Sequence, residues 1–180
     1  MTKPKLLFFA TEDWFVRSHF VPLLQRAEAD GYDVVVAARD SGALDGVRVI
    51  DTPFARGSMR PWDLARQVSH LRDLLRREKP DVVHAIALKP MALLALSGHR
   101  DAGRVFALTG RGYLGVRRTL QWDAVNAWLR STLRDALQQP RALLLAENTA
   151  DRDWLSANGD VGGRRCWRNE GEANCHNNPV

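Results

Sequence analysis

The amino-acid sequence predicts an α/β fold, in which a mostly parallel sheet of six to seven strands carries helices on both faces. Short, fully apolar runs alternate along the chain with longer segments in which apolar residues recur at helical spacing. The apolar runs are continuous, as expected for strands buried on both faces of a parallel sheet. The chain has 180 residues, which suits one domain. We therefore predict a single Rossmann-like domain over residues 1–160.

Six apolar segments are predicted to form the strands. The first, Leu6 to Ala10, contains no polar residue, and the second, Asp33 to Ala38, is rich in β-branched valine. A polar loop, 11–14, is expected after the first strand. The remaining strands are predicted at 47–51, 81–86, 104–108 and 142–146.

Five segments are predicted to form helices, namely 18–30, 61–78, 90–99, 122–137 and 149–157. Pro22 is compatible with the first helix only in its first turn, and Gly31 suits the carboxyl-terminal cap of that helix. Pro61 occupies a first helical position, and Pro80 ends the same helix. In such α/β sheets, ligands bind beyond the carboxyl ends of the strands, so the loops that follow the strands are the places to look for a site.

The last twenty residues differ from the rest of the chain. No apolar periodicity is present from Gly162 onward, and both cysteines, Cys166 and Cys175, lie in this segment. Either a natural polar tail or a shift of reading frame near Arg165 accounts for this composition. No regular structure is expected over 161–180, and no disulfide or cysteine metal site is expected in the body of the fold.

The formal net charge is +5, which favours anionic partners such as phosphates or an anionic membrane surface. Because no block of Lys and Arg is present, nucleic acid is not expected as a partner. The apolar run Leu6 to Ala10 is too short for a signal peptide or for the ~20 residues of a membrane span. A cytoplasmic protein, peripheral on the inner face of the membrane, is expected. The basic helix 61–78 either rests on anionic lipid or simply presents a solvated face.

The segment after the first strand contains no glycine, which argues against a dinucleotide-binding fold. Carboxylates such as Glu12 and Asp13 can accept hydrogen bonds from sugar hydroxyls, and Trp14 can stack on a sugar ring. The alternative is that Asp13 or Ser18 only caps the following helix. Both interpretations are open at this point.

A glycine-rich loop follows the fifth predicted strand, with the sequence Gly110-Arg111-Gly112-Tyr113-Leu114-Gly115. The motif follows the wrong strand for a dinucleotide site, and no helix begins at once after it. Backbone N–H groups in such a loop can approach a phosphate, and an arginine reinforces anion binding. The residues predicted to form this phosphate and cleft loop are Thr109, Gly110, Arg111, Gly112 and Tyr113.

His84 is predicted to end the fourth strand, and Lys89 follows five residues later. At a strand end, His84 can orient a hydroxyl or act as a base, although a lone histidine is also compatible with a structural role. The histidines show no close-spaced ligand pattern, so no metal site is predicted.

Four stretches together resemble the amino-terminal domain of family 4 glycosyltransferases, which have the GT-B fold. The similarity is greatest to enzymes that extend polyprenyl-diphosphate-linked sugars for capsule, exopolysaccharide or O-antigen. The stretches are Thr11-Glu12-Asp13-Trp14-Phe15 with Ser18-His19 and Pro22-Leu23; Pro80-Asp81-Val82-Val83-His84 with Lys89-Pro90; Leu108-Thr109-Gly110-Arg111-Gly112-Tyr113; and Glu147-Asn148 with Asp151-Arg152-Asp153. Their order and spacing extend over about 155 residues.

The resemblance implies a hexosyltransferase that moves a sugar from a nucleotide sugar to a lipid-linked saccharide acceptor. It implies that this domain binds the acceptor through Thr11, Glu12, Asp13, Trp14, Ser18, His19 and Lys89, with His84 as the catalytic residue. No metal is implied. The donor domain of the family, which binds the nucleotide sugar, is not recognisable here, so no cofactor is expected in this chain and the chain alone is expected to be inactive.

The sequence departs from the family at two positions. Phe20 stands where relatives often carry arginine, and Arg111 replaces a residue that is usually apolar. Both changes are expected to alter acceptor preference. The alternative to an incomplete enzyme is a binding subunit that docks a separate donor-binding domain.

Overall fold

The computed structural model describes residues 2–42, 44, 46–54, 60–109, 120–156, 164–169 and 172–176. The strands are β1 (Lys5–Glu12), β2 (Asp33–Arg39), β3 (Arg48–Asp51), β4 (Val82–Ile86), β5 (Gly103–Leu108), β6 (Ala142–Ala146), β7 (Arg164–Asn169) and β8 (Glu172–His176). The helices are α1 (Asp13–His19), α2 (Val21–Ala29), α3 (Pro61–Glu78), α4 (Leu88–Ser97), α5 (Leu120–Leu137) and α6 (Thr149–Ser156).

The strands form one sheet in the order β3-β2-β1-β4-β5-β6-β7-β8. Every neighbouring pair is parallel except β7 and β8, which are antiparallel. The prediction of an α/β fold with a mostly parallel sheet is therefore confirmed. The chain order reverses between β1 and β4, and such a switch point opens a crevice at the carboxyl ends of the two strands.

Two apolar clusters cover the two faces of the sheet, and the side chains of β1 alternate between them. Leu7 and Phe9 belong to the cluster under α3, α4 and α5, whereas Phe8 and Ala10 belong to the cluster under α1 and α2. All four are buried. Burial on both faces explains why the strands are continuous apolar runs, and each fully buried Phe or Leu stabilises the fold by roughly 1.5–3 kcal/mol.

The segment after β1 differs from its prediction. The expected polar loop 11–14 does not form, because β1 continues to Glu12 and α1 begins at Asp13. The single helix expected over 18–30 is two helices that meet at Phe20, whose φ is −119° and ψ −3°. Pro22 causes the break, because it has no N–H and its ring would clash with the carbonyl of Ser18 in a continuous helix. Pro22 lies in the first turn of α2, as the sequence predicts.

The chain beyond residue 160 also differs from its prediction, since it contains β7 and β8 instead of lacking regular structure. β7 pairs with β6, with Leu143 opposite Arg164 and Ala146 opposite Trp167. An open sheet edge offers unpaired N–H and C=O groups, and these bind an extended segment whatever its apolar periodicity. Apolar pattern therefore cannot reveal such a strand. The origin of this segment, natural or frameshifted, stays a prediction.

Candidate functional site

The carboxyl ends of four adjacent strands, β1, β4, β5 and β6, form one edge of the sheet on which the candidate site lies. Backbone hydrogen bonds hold these ends together beyond the strands themselves. The Ala87 N–H donates to the carbonyl of Ala107 at 2.9 Å, and the Glu147 N–H lies 3.4 Å from the carbonyl oxygen of Leu108. Three of the segments that the sequence singled out therefore converge at this edge.

Glu12 is the last residue of β1, and its carboxylate is buried in an ion pair. Arg39, at the end of β2, donates from Nε and Nη2 to the two carboxylate oxygens at 2.9 and 2.8 Å. The Glu12 side chain is 4% exposed, whereas that of Arg39 is 57% exposed. This bidentate ion pair links the ends of β1 and β2. It engages both carboxylate oxygens of Glu12, which the sequence analysis expected to bind the saccharide acceptor.

Asp13 is fully buried at the first turn of α1. Its carboxylate accepts hydrogen bonds from the Ser41 hydroxyl at 2.6 Å and the Ser41 N–H at 2.8 Å. It also accepts from the N–H of Trp14 at 2.7 Å, which satisfies one of the free donors at the start of the helix. The alternative interpretation of Asp13, as a residue that anchors the helix start, matches these contacts.

Trp14, Ser18 and His19 lie on the exposed side of α1, and the Trp14 residue is 42% exposed. The Ser18 hydroxyl donates to the carbonyl of Trp14 at 2.8 Å. The Nδ1 of His19 lies 3.2 Å from the carbonyl oxygen of Phe15, and because that oxygen only accepts, the contact requires the proton on Nδ1. The indole of Trp14 and the outer edge of the His19 ring therefore face solvent at the strand-end edge.

His84 is the third residue of β4, so the prediction that it ends the strand is wrong, because the strand continues to Ile86. The ring is buried against Phe8, at a centroid distance of 5.1 Å, and lies edge-on to Phe20 at 6.2 Å. Burial lowers the pKa of His84 to about 4, so the imidazole is neutral at pH 7. Its Nε2 atom is buried and has no hydrogen-bond partner among the described residues.

Lys89 is the second residue of α4, directly after the switch-point strand β4. Burial lowers the pKa of Lys89, and the carboxylate of Asp63 opposes that shift. Ala87, which precedes α4, has φ 74° and ψ 162°, a conformation that is almost confined to glycine. This strained residue forms the junction between β4 and α4, at the carboxyl end of a switch-point strand.

Thr109 follows β5, and its hydroxyl oxygen is buried without a partner among the described residues. The other predicted members of this loop, Gly110, Arg111, Gly112 and Tyr113, lie outside the residues that the structure describes. Thr11, the remaining predicted site residue, lies within β1 and is half-buried.

Glu147 was not predicted as a site residue, although it directly follows the apolar strand 142–146. Burial raises the pKa of Glu147; His19 lowers it and Asp151 raises it further. His19 and Glu147 are therefore close enough to interact, although they are far apart in the sequence. Its position directly after a buried strand was the sequence signal that could have identified Glu147 as a site residue.

The described site thus combines an exposed indole, an exposed imidazole, a carboxyl with a raised pKa and two polar atoms without partners. These groups can bind a hydroxyl-rich ligand by hydrogen bonds and by stacking. No group of three or more His, Cys, Asp or Glu side chains that can hold a metal ion occurs in the described part of the chain.

The family description "Glycosyltransferase Family 4" matches residues 16–144, which is more than half of the chain. The chain belongs to this family of glycosyltransferases. The matched region contains β2 to β5 completely, together with His84, Lys89 and the glycine-rich loop. No match was found among curated proteins.

Among solved structures, this family 4 domain is similar to a sucrose-phosphate synthase from Thermosynechococcus elongatus, with a TM-score of 0.62 and 10% identity. The match covers 92% of this chain and 47% of that one, so the chain spans about half the length of the synthase. A second structure of the same synthase gives a TM-score of 0.60 at 11% identity and covers 91% of this chain and 87% of that one. At this identity the likeness shows the fold alone, which is that of one half of a GT-B glycosyltransferase.

Proposed function

We propose that this chain is the acceptor-binding side of a glycosyltransferase that moves a sugar from a nucleotide sugar to a lipid-linked saccharide. Membership of the family supports a transferase, and the fold supplies one wall of a GT-B cleft. The observation that carries the acceptor assignment is a pair of buried polar atoms without partners among the described residues: His84 Nε2, two residues before the end of β4, and Thr109 Oγ1, directly after β5. Buried polar groups are normally paired, so unpaired ones at a ligand edge favour a ligand that pairs them.

The described residues suit different parts of such an acceptor. Trp14 is placed to stack on a sugar ring, and His19 and Glu147 are placed to bind hydroxyls. Lys89, with the glycine-rich loop 109–113, is suited to the diphosphate of the lipid carrier. His84 is neutral, and a pKa near 4 makes it a weak base, so we assign it the role of orienting a hydroxyl.

The chain alone is proposed to be inactive, because transfer requires donor and acceptor to be held together in reacting geometry. Isothermal titration with a panel of uridine and guanosine diphosphate sugars tests this. We expect no micromolar binding. Micromolar binding of any of these donors would contradict the proposal that this chain lacks the donor site.

Acceptor binding is tested with a water-soluble, short-chain prenyl diphosphate saccharide. We expect saturable binding in a calorimetric or NMR titration, and we expect Trp14→Ala to weaken it. Trp128→Ala is the matched control, because Trp128 is 43% exposed but lies in the middle of α5, away from the strand ends. Equal losses in the two variants, or no binding by the unaltered chain, would reject the acceptor assignment.

A second candidate function is that of a subunit that docks a separate donor-binding domain. Trp14 and Trp62 favour it, because they are 42% and 65% exposed and begin helices that follow β1 and β3 at the same edge. Analytical ultracentrifugation with an isolated family 4 donor domain tests it. Association that Trp62→Ala weakens would support this function, and absence of association would reject it.

The membrane is proposed as the place of action, with the chain bound peripherally on its cytoplasmic face. Within the described residues, no helix has the length and apolar character that crossing a bilayer requires. The exposed arginines of α3 support contact with an anionic surface, and this contact is tested below.

A further inference from the structure

A second set of polar groups without partners lies at the opposite, amino-terminal edge of the sheet. Arg104 is the second residue of β5 and is 3% exposed. Its guanidinium donates one hydrogen bond from Nη2, to the carbonyl of Pro140 at 3.2 Å. Its Nε is buried and has no partner among the described residues. One of the N–H donors of this guanidinium is therefore buried without a partner among the described residues.

The positive charge of Arg104 is also unbalanced. No carboxylate of the described residues forms an ion pair with it. Burial lowers the pKa of Arg104, and the neighbouring cation Arg100 lowers it further, but an arginine in a protein stays protonated. A buried charge without an opposite charge is unfavourable, so most native proteins pair it.

His99 lies beside Arg104, in the loop between α4 and β5. Its ring atom Nε2 is buried and has no partner within the described ranges, and its backbone N–H donates to the hydroxyl of Ser97 at 3.2 Å. Burial lowers the pKa of His99, Asp101 raises it, and Arg104 lowers it. The two unpaired groups therefore lie within electrostatic range of each other.

The carbonyl groups at the carboxyl ends of the neighbouring helices offset part of this charge, and some of them are already engaged. Arg72 already donates to the carbonyls of Ser97 and Leu96, at 2.8 and 3.1 Å, at the end of α4. Beyond α5, the carbonyl of Pro140 supplies one acceptor to Arg104. Asp101 is exposed and acts on His99. Two buried nitrogen atoms without partners among the described residues, Arg104 Nε and His99 Nε2, consequently remain at this edge.

We propose that the amino-terminal edge of β5 is a binding site for a phosphate-class oxyanion, held by Arg104 Nε and His99 Nε2. A tetrahedral dianion accepts several hydrogen bonds at once, so it can take both donors and neutralise the guanidinium. Arg100, on the same loop, is exposed and adds positive charge close to Arg104. The site is separate from the strand-end edge and does not depend on the proposed function.

NMR titration of the histidines of the unaltered chain tests the proposal first. The probe is inorganic phosphate, with ionic strength held constant by sodium chloride so that general screening does not change. His99→Gln assigns the resonance. A bound dianion stabilises the charged imidazolium, so we expect saturable shifts and a higher pKa for His99. A pKa that phosphate leaves unchanged would overturn the proposal, and this result does not depend on any variant folding.

Variants then test the residue that carries the site. Arg104→Met keeps most of the side-chain volume and removes the charge, and we expect it to weaken phosphate binding by at least about tenfold. Arg77→Met is the matched control, since Arg77 is an exposed arginine of α3 and its loss changes the net charge equally. Equal weakening in both variants would show a general charge effect and would overturn the site.

Glycerol 3-phosphate as a second probe distinguishes a free phosphate from a phosphoryl group on a larger molecule. Tighter, Arg104-dependent binding of the ester supports a site for a phosphorylated metabolite. Tighter binding of inorganic phosphate supports a site for the free ion. Failure of both probes to bind would overturn the proposal.

Discussion

At the scale of single residues, the predicted acceptor residues fall into two groups that the sequence could not separate. Glu12 and Asp13 are engaged by residues 27 and 28 positions away, Arg39 and Ser41. His84 Nε2 and Thr109 Oγ1 have no partner in the described part of the chain. The partner of a polar side chain comes from another element, so only the assembled sheet shows which groups remain available to a ligand.

His84 makes the stability of the domain depend on pH. Its folded pKa of about 4 lies below the ordinary value of 6.5, so the unfolded chain binds a proton between these values while the folded chain does not. Stability from this residue is therefore complete above pH 6.5 and falls as the pH decreases to about 4, by roughly 3 kcal/mol at 1.36 kcal/mol per pKa unit. Chemical denaturation of the unaltered chain and of His84→Phe, at pH 7.5 and pH 5, measures this effect.

We expect the unaltered chain to lose more stability than His84→Phe when the pH is lowered. The comparison isolates His84, because the carboxylates that also respond to acid are the same in both proteins. Equal losses would mean that the imidazole is not buried in its neutral form.

At the scale of elements, the apolar pattern predicted the six central strands. It did not predict the break between α1 and α2 or the strands β7 and β8. Strands β2, β4 and β5 and the helix α3 begin and end within two residues of their predicted bounds. The break between α1 and α2 depends on Pro22. A proline is tolerated in the first turn of a helix but interrupts a helix that begins more than one turn before it. The strand β7 pairs with the open edge of β6, and β8 pairs with β7. The apolar pattern of a segment does not show whether such an edge is available to it.

Ala87 stores strain at the junction of β4 and α4. A residue other than glycine at φ 74° and ψ 162° costs about 1–3 kcal/mol. Glycine removes this strain but loses about 0.4–1 kcal/mol through the greater freedom of the unfolded chain. We therefore expect Ala87→Gly to stabilise the domain by about 1 kcal/mol, as measured by urea denaturation.

Ala85→Gly is the control for this prediction. Ala85 is fully buried within β4 and does not have a positive φ, so glycine there relieves nothing and removes a packed methyl group. We expect it to destabilise the domain. A loss of stability in both variants would show that Ala87 is not strained.

The helix α3 presents a basic face that is suited to an anionic membrane. Trp62, Arg66 and Arg77 are exposed and share one face at a spacing of 3.6 residues per turn, and Asp73 on the same face is paired with Arg76. Each basic residue near an anionic surface contributes about 1 kcal/mol, so Arg66→Gln with Arg77→Gln is expected to reduce binding to phosphatidylglycerol vesicles about thirtyfold. Vesicle sedimentation measures the partition coefficient.

The double variant Arg17→Gln with Arg26→Gln is the control, because it removes two exposed charges from α1 and α2. We expect it to bind vesicles almost as well as the unaltered chain. An equal loss in both double variants would indicate that net charge, and not the face of α3, controls binding.

At the scale of the whole molecule, the fold of this family 4 domain is organised around two apolar clusters, one on each face of the sheet. Among side chains whose packing is described, the last member of either cluster is Leu155. β7 joins the sheet through its backbone ladder with β6. The sequence predicts a domain boundary near residue 160, because apolar periodicity ends there, whereas the residues that complete the site come from several elements and required the structure.

Removal of residues 161–180 tests the predicted domain boundary. Every described member of the two clusters is kept in the shortened chain, so we expect cooperative thermal unfolding with a midpoint lowered by less than about 5 °C. The same change uncovers the edge of β6, whose N–H and C=O groups then lack partners, so we expect concentration-dependent association. Circular dichroism and sedimentation velocity measure the two effects. Loss of cooperative unfolding would mean that the last twenty residues are part of the folding unit, and the domain would then extend beyond residue 160.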